Sequence, residues 1–259
     1  MTYYITLFGK MIHIYGLCSY LGIVLSVLAA FLVAKKRDLP KWEIVYSGIF
    51  SMVGAMIGSK LLFLMVSYKE IISMQLSIEE VIRGGFVFYG GLIGGLLGLI
   101  IYVKKYDLSI IPYLDVFATV LPLGHAVGRV GCYFGGCCYG IPYDGPGAVV
   151  YTESMGMVPL GVPLLPVQLI ESGVLLVLFG ILMFVLYKKD SLELPLWVYC
   201  ISYSVIRFVL EYFRGDGARG KLLWFSTSQW ISILIIGVSF VAMYLRKKGK
   251  AQKAGSAPA

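Results

Sequence analysis

Seven long apolar segments constrain this chain more than any other feature. They run roughly over residues 12–34, 43–67, 85–103, 110–131, 167–187, 194–213 and 223–245. Each approaches the roughly 20 apolar residues that a helix needs to cross a hydrocarbon layer. Backbone in lipid must satisfy its own N–H and C=O groups, which leaves helices or a closed barrel. These runs are long and lack the alternation of about ten-residue barrel strands. The sequence therefore predicts an all-α integral membrane protein with seven transmembrane helices. Composition agrees: 59% of the 259 residues are hydrophobic and 14% charged, against about 25% charged in a soluble domain. A single membrane-embedded domain over residues 1–259 is expected. No internal repeat or pair of broken helices points to a transporter. Met1 to Lys10 lack the basic start and small-residue cleavage site of a removable leader, so the first apolar segment is expected to stay in the mature protein.

Lysine and arginine placement sets the orientation. Lys35, Lys36, Arg37 and Lys41 follow segment one; Lys104 and Lys105 follow segment three; Lys188 and Lys189 follow segment five. A basic tail, about 246–259, follows segment seven. Seven crossings put all of these on one side, predicted to be cytoplasmic, with the N-terminus outside and the C-terminus in the cytoplasm. The opposite connections still hold Lys69, Arg83, Arg214, Arg219 and Lys221, so the bias is incomplete. The net charge of +8 is thus a topology signal rather than a nucleic-acid footprint, although the tail also suits anionic headgroups. The one long outer loop, about 132–166, carries seven glycines and five prolines, and a loop of that length is usually functional.

Charges at membrane depth are expensive and mark sites. Arg129 ends segment four and runs into Gly131-Cys132-Tyr133-Phe134-Gly135-Gly136-Cys137-Cys138-Tyr139-Gly140. Glycines there let backbone approach a ligand closely, and the combination suits an anion, most simply a phosphate; an interfacial snorkelling arginine is the bland alternative. Tyr203, Arg207 and Glu211 are four apart and share a helix face. Arg207 either pairs with Glu211 or offers its planar fork to phosphate oxygens, and the two are compatible. Gln168 and Glu171 face the same way at the start of segment five, where helix-start polarity also accounts for them. Gly94, Gly95 and Gly98 read as helix-packing positions, whereas Tyr89 places a hydroxyl among paired glycines. Tyr15 stands near the start of segment one, which an aromatic belt also explains. Lys60 is a further intramembrane cation, and His13 and His125 read as helix-end polar residues rather than metal ligands.

Five cysteines are present. Cys18 and Cys200 fall in apolar segments and read as small core residues. Cys132, Cys137 and Cys138 share the glycine-rich loop but lack the paired C-x-x-C spacing of structural zinc sites, so a metal is not expected there and a redox role is the nearer alternative. Two histidines offer few haem ligands.

Taken in order, these segments resemble bacterial prolipoprotein diacylglyceryl transferases. The family's arginine-glycine-asparagine signature run resembles Gly128 to Gly140, its Gly-Gly-x-x-x-His-Gly-Gly-Leu-Ile-Gly element resembles Gly84 to Gly94, and its Pro-x-Gln-Leu-x-Glu element resembles Pro166 to Glu171. Its tyrosine and arginine four apart, followed by Glu-Phe/Tyr-Phe-Arg, resemble Tyr203, Arg207 and Glu211 to Arg214, and an early Tyr-Gly resembles Tyr15-Gly16. The chain departs from the pattern at several points. Cys132 stands for the signature asparagine, Cys137 for a glutamate, and Tyr89 for a histidine. Met56 stands for a second-helix arginine, with Lys60 one turn further on the same face.

The resemblance implies a reaction in which the diacylglyceryl group of phosphatidylglycerol moves to the lipobox cysteine thiol of a prolipoprotein, forming a thioether and releasing glycerol phosphate. Its partners would be phosphatidylglycerol, a prolipoprotein signal peptide and membrane lipids, in the bacterial cytoplasmic membrane, with no nucleic acid and no cofactor. Arg129, Arg207 and Tyr89 are the expected catalytic residues. Tyr15, Lys60, Cys132, Cys137, Gly140, Gln168, Glu171 and Tyr203 are the expected substrate-binding ones. Tyr89 is a poor base at neutral pH, with an ordinary pKa near 10, so the general base is unassigned. Two rivals stand beside this reading: a divergent member acting on another lipid or thiol with the loop cysteines involved, and a non-catalytic protein that binds an anionic lipid.

Overall fold

A computed structural model describes residues 3–7, 10–73, 78–83, 87–154, 156, 158–189, 192–216 and 220–255. Gly84 and Gly85 of the glycine-rich element lie outside them, as does Arg219. The helices are α1 (Ile14–Lys36), α2 (Lys41–Val66), α3 (Tyr68–Ile72), α4 (Ile78–Arg83), α5 (Phe88–Lys105), α6 (Ile110–Gly135), α7 (Val167–Lys188), α8 (Leu194–Leu210) and α9 (Thr227–Gly255). Among the described residues, α1, α2, α5, α6, α7, α8 and α9 are long and apolar enough to cross a membrane. Lysines close the last turns of α1, α5 and α7, where they complement the negative end of the helix dipole.

Three antiparallel pairs supplement the helices: β1 (Tyr4–Leu7) with β2 (Lys10–His13), β3 (Val149–Val150) with β4 (Pro163–Leu164), and β5 (Lys221–Leu222) with β6 (Phe225–Ser226). They move two expected boundaries. Segment one begins at Ile14, because Ile12 and His13 pair in β2, and segment seven begins at Thr227, because Phe225 and Ser226 close the β5–β6 hairpin. The seventh helix then continues into the basic tail as far as Gly255.

The chain divides into two compact units, with the boundaries falling inside α1 and α6. Residues Phe31–Val116 form one unit, dominated by the pairing of α2 with α5. Glycines make that pairing possible. A Cβ on Gly94 would enter the Gly54 carbonyl and lie 3.0 Å from the Gly58 Cα; Gly54, Gly58, Gly90 and Gly98 are equally filled by the opposing backbone. Small residues let helices approach this closely in lipid, where no hydrophobic force drives them together. Ser51 and Ser59 add hydrogen bonds from Oγ to the Gly95 and Val87 carbonyls, at 2.8 and 3.0 Å. Arg37 meets Asp115 at 2.9 Å, both side chains buried, and Tyr102 donates to Glu43 at 2.6 Å.

Met1–Ala30 with Phe117–Ala259 form the other unit. Here α1 packs on α6 through Gly22 and Gly124: a Cβ on Gly22 would lie 2.8 Å from the Gly124 carbonyl oxygen. Ser172 Oγ donates to the Ala126 carbonyl at 2.9 Å and pins α7 to α6. The long connection between α6 and α7 has its own small core of Tyr151, Val158 and Leu164, covered by Tyr139, Val149 and Val162. Tyr151 donates its hydroxyl to the Tyr133 carbonyl at 2.9 Å, which ties that core to the end of α6.

Replacing Gly94 by leucine should force α2 and α5 apart and cost about 1–3 kcal/mol, the usual range for overpacking. Gly173→Ala is the control, since a Cβ there meets nothing within 4 Å. Thermal unfolding in detergent should show a lowered midpoint for the first variant alone; equal midpoints would contradict the packing argument.

Candidate functional site

The site is built at one end of the Met1–Ala30 and Phe117–Ala259 unit. The last turns of α6 and α8 and the first turns of α7 and α9 supply it. The sequence pattern ends segment four at Gly131, because a run of glycines reads as a loop. The helix in fact persists to Gly135. Gly131 and Gly135 are where α6 passes Tyr15 of α1, with a Cβ on Gly131 falling 3.0 Å from the Cys18 Cβ. Close packing therefore replaces the helix propensity that glycine lacks. Cys132 consequently sits on a helix, not in the loop where its sequence neighbours suggested.

Glu171 of α7 is the centre of the charge arrangement. It is 1% exposed. Its Oε1 lies 3.0 Å from Arg129 Nη2 and 3.7 Å from His125 Nε2. His125 and Arg129 are one helical turn apart, so α6 presents both to the same carboxylate. The sequence reading of His125 as a helix-end polar residue is corrected here: it lies mid-helix, edge-on to the Tyr203 ring at 5.5 Å. Gln168, one turn before Glu171 and also 1% exposed, donates Nε2 to the Cys137 carbonyl at 2.9 Å. That bond fixes the start of the loop against α7.

Arg207 of α8 is 9% exposed. It pairs with Glu211 at 2.6 Å and donates to Ser228 Oγ of α9 at 3.3 Å. The expected i,i+4 pair is therefore formed, although Glu211 begins a short 3-10 turn, Glu211–Phe213, rather than continuing α8. Tyr203, one turn earlier, stacks on Tyr199 with centroids 5.7 Å apart. Arg129 and Arg207 converge electrostatically, since each acts on Glu171 and Tyr203 and both act on His125. Each also keeps buried donor capacity: Arg129 Nε and Arg207 Nη1 have no hydrogen-bond partner among the described residues. Buried polar atoms are almost always satisfied, so open guanidinium donors at shared neighbours suit an anionic ligand with several acceptor oxygens.

Arg214 completes the cationic lining. Its Nε and Nη2 grip the two oxygens of Asp216 at 2.8 and 2.6 Å, and its Nη1 is buried without a partner among the described residues. Burial works against its charge, but the bonds to Asp216 and the Cys138 sulfur outweigh it and hold its pKa above the ordinary value. The backbone places it. Gly140 and Arg214 form an antiparallel bridge, flanked by Ile141 N–H to Phe213 O and Gly215 N–H to Tyr139 O, both 3.0 Å. Gly140 has to be glycine there, because a Cβ would enter the Leu165 carbonyl.

The three loop cysteines come together beside these charges. The Sγ atoms of Cys132, Cys137 and Cys138 all lie within 4.8 Å of one another, and among the described residues, which include all five cysteines, no disulfide forms. Gly136 and Cys138 both adopt left-handed backbone, with φ of 67° and 55°, which folds the chain back after α6. Hydrogen bonds from Cys132 and Cys137 hold the Cys138 thiol below its ordinary pKa, opposed by burial and helped by Arg214 and Arg129. Hydrogen bonds with Cys132 and Cys138, together with burial, push Cys137 above it. Tyr15 is half-exposed and within electrostatic reach of all three sulfurs.

Arg129, Arg207, Tyr203, Glu171, Gln168, Gly140, Cys132, Cys137 and Tyr15 thus share one unit. Tyr89 and Lys60 belong to the other: Tyr89 meets Phe88 edge-on at 5.6 Å, and Lys60 Nζ donates to the Val81 and Ile82 carbonyls. His125 and Arg214 were not among the expected site residues, and Cys138 was expected only with Cys132 and Cys137 as part of the glycine-rich loop. The signal for His125 was its four-residue spacing from Arg129, and for Arg214 its place at the end of the Glu-Tyr-Phe-Arg run.

Comparison with known proteins agrees with the sequence pattern. A family described as prolipoprotein diacylglyceryl transferase matches residues 3–245. A phosphatidylglycerol–prolipoprotein diacylglyceryl transferase of Clostridium tetani is 34% identical, covering 90% of this chain and 93% of its own length. A second such protein, from Clostridium perfringens, is 30% identical over 95% of both chains, and one from Dechloromonas aromatica is 32% identical over 77% of both.

Glu171→Ala should leave Arg129 buried without its counter-charge and cost about 3–5 kcal/mol. Glu171→Gln retains an acceptor oxygen and should cost less. Denaturation of the two variants in detergent measures the difference; equal stabilities would show that the carboxylate does not hold the guanidinium.

Proposed function

The chain belongs to the prolipoprotein diacylglyceryl transferase family, and we propose that it moves the diacylglyceryl group of phosphatidylglycerol onto the lipobox cysteine of prolipoproteins. The supporting observation is the pair of buried guanidiniums, Arg129 and Arg207, which act on the same side chains and keep unused donors. The protein is a multi-pass protein of the bacterial cytoplasmic membrane, and its residues 1–259 act as one transferase domain. The basic ends of α1, α5, α7 and α9 face the cytoplasm and the N-terminus lies outside. The last turn of α6 and the first turn of α7 then lie at the outer leaflet, where the headgroup is reached.

The reaction forms a sulfur–carbon bond and breaks the ester bond between the glyceryl carbon and a phosphate oxygen. The bonding electrons leave on that oxygen, and charge grows on the departing glycerol phosphate. Fixed cations aimed at developing charge in a water-poor site lower the barrier without reorganising. Arg129 and Arg207 take that role, with Glu171 and Glu211 holding the forks in place. Arg214 adds positive charge from its bridge to Gly140. Gly140 admits the close backbone approach, while Gln168, Tyr203 and Tyr15 line the headgroup and acceptor side. On the sequence alone, Tyr89 remains a candidate for orienting a substrate and Lys60 for supplying charge.

Arg129→Ala or Arg207→Ala should lower transfer roughly a hundred- to a thousandfold. Arg207→Lys should also lose much of it, because an ammonium has no planar fork. The assay is lipidation of a reporter prolipoprotein by purified enzyme in phosphatidylglycerol vesicles, read as the mass gain on the acceptor cysteine. Wild-type rates in both alanine variants would overturn the assignment. Headgroup binding without any turnover by the unaltered protein would favour a non-catalytic lipid-binding role.

A further inference from the structure

The transferase reading leaves one need unmet and one feature unused. A free thiol has a pKa of about 8.5 and is a few per cent thiolate at neutral pH, and the site's histidine, His125, faces the buried Glu171 carboxylate at 3.7 Å. Beside Arg129, meanwhile, three cysteine sulfurs form a closed triangle with every side within 4.8 Å. The geometry points to a zinc site: Cys132, Cys137 and Cys138 hold one Zn²⁺ as thiolates, and its fourth position takes the acceptor cysteine of the prolipoprotein. The second half of this inference rests on the transferase reading; the first half does not.

Zinc bound by three protein ligands with an open fourth position is the arrangement of catalytic sites, whereas structural sites are closed by four. A zinc–thiolate bond of about 2.3 Å at tetrahedral angles puts sulfurs about 3.8 Å apart. The triangle reaches that spacing by side-chain adjustment of an ångström or less. The backbone is already turned for it. Cys137 N–H bonds to the Cys132 carbonyl at 3.2 Å, the Cys137 carbonyl is held by Gln168, and Cys138 sits in left-handed backbone. An observed left-handed non-glycine residue costs of order 1–3 kcal/mol and persists where its surroundings over-determine it.

The charges balance. Three thiolates and one Zn²⁺ carry −1, and the acceptor thiolate makes −2. Arg129 and Arg214 both act on Cys138, and each has a buried donor atom without a partner among the described residues. A coordinating thiol is deprotonated outright, so the metal supplies the thiolate without a side-chain base. The acceptor loses its proton to water on binding. Its sulfur lone pair attacks the glyceryl carbon, and the ester electrons leave on the phosphate held by Arg129 and Arg207. No atom changes oxidation state, and the product thioether, a weaker ligand than a thiolate, leaves the metal. Arg129 is the hinge of the arrangement, since it acts on the sulfurs and shares Glu171 and Tyr203 with Arg207.

The test uses the full-length protein, purified reduced in detergent, loaded with Zn²⁺ and dialysed. Elemental analysis should find about one zinc per chain. The same content is expected in Cys18→Ser/Cys200→Ser, whose cysteines lie outside the triangle, and it should be lost in Cys132→Ser/Cys137→Ser/Cys138→Ser. No zinc in the reduced wild-type protein, or equal zinc in the triple variant, overturns the site. Should the triple variant aggregate, Co²⁺ in the wild-type protein decides: thiolate-to-cobalt charge-transfer absorption supports the site, and its absence overturns it. A synthetic lipobox peptide should intensify that absorption, whereas its serine counterpart should not. No difference between the two peptides overturns the fourth-ligand assignment. Reporter lipidation by the same preparation separates the two readings. Lipidation without metal overturns the site and leaves the transferase reading. Metal at these cysteines without lipidation overturns the transferase reading and leaves the site.

Discussion

A guanidinium cannot remain charged inside a hydrocarbon layer without a partner, and Glu171 is the partner on which this site depends. Its Oε1 holds Arg129 at 3.0 Å and faces His125 at 3.7 Å. Removing an ion from water costs several kcal/mol even after relaxation, and only good geometry repays it. The geometry comes from backbone contacts near the carboxylate. Ser172, the next residue, anchors α7 to the Ala126 carbonyl, and Gln168, one turn earlier, anchors it to the Cys137 carbonyl. Positioning of the charge and packing of α6 on α7 are therefore one problem with one solution. Arg207 repeats the device with Glu211 and Ser228. In both cases the carboxylate uses part of the guanidinium and leaves a buried donor atom open, which is the residual capacity an incoming phosphate needs.

The connection between α6 and α7 brings further side chains up to these charges. It folds on its own core of Tyr151, Val158 and Leu164, and burial pushes the Tyr151 hydroxyl up to about 12, so that it stays a donor to the Tyr133 carbonyl. The bridge between Gly140 and Arg214 then carries that ordered loop to the end of α8. Through this path a loop residue, Cys138, comes within reach of charges on α6 and beyond α8.

Much of this was legible in the sequence, for physical reasons that also explain the remainder. Hydrophobic length alone located the seven spanning helices, since lipid leaves the backbone few alternatives. The glycines of α5 announced close packing, although their partners Gly54 and Gly58 became evident only with the opposing helix in place. Arg129, Glu171 and Arg207 stood out because charge is rare at that depth. His125 did not, because a histidine near glycines reads as a helix end. The end of α6 was misplaced because local propensity argues against a helix through Gly131, whereas the packing of Tyr15 argues for it. The sulfur triangle was hidden for a related reason. Cys132, Cys137 and Cys138 lack a familiar ligand spacing, and their proximity arises from two left-handed residues, one of them not glycine.

The central claim is that Arg129 and Arg207 receive a single phosphate. The most direct measurement is an experimental structure of the protein in nanodiscs containing phosphatidylglycerol, determined with the headgroup resolved. The account predicts one phosphate hydrogen-bonded by both guanidiniums, with Arg129 still paired to Glu171. A headgroup bound elsewhere, with both arginines engaged by carboxylates alone, would contradict it.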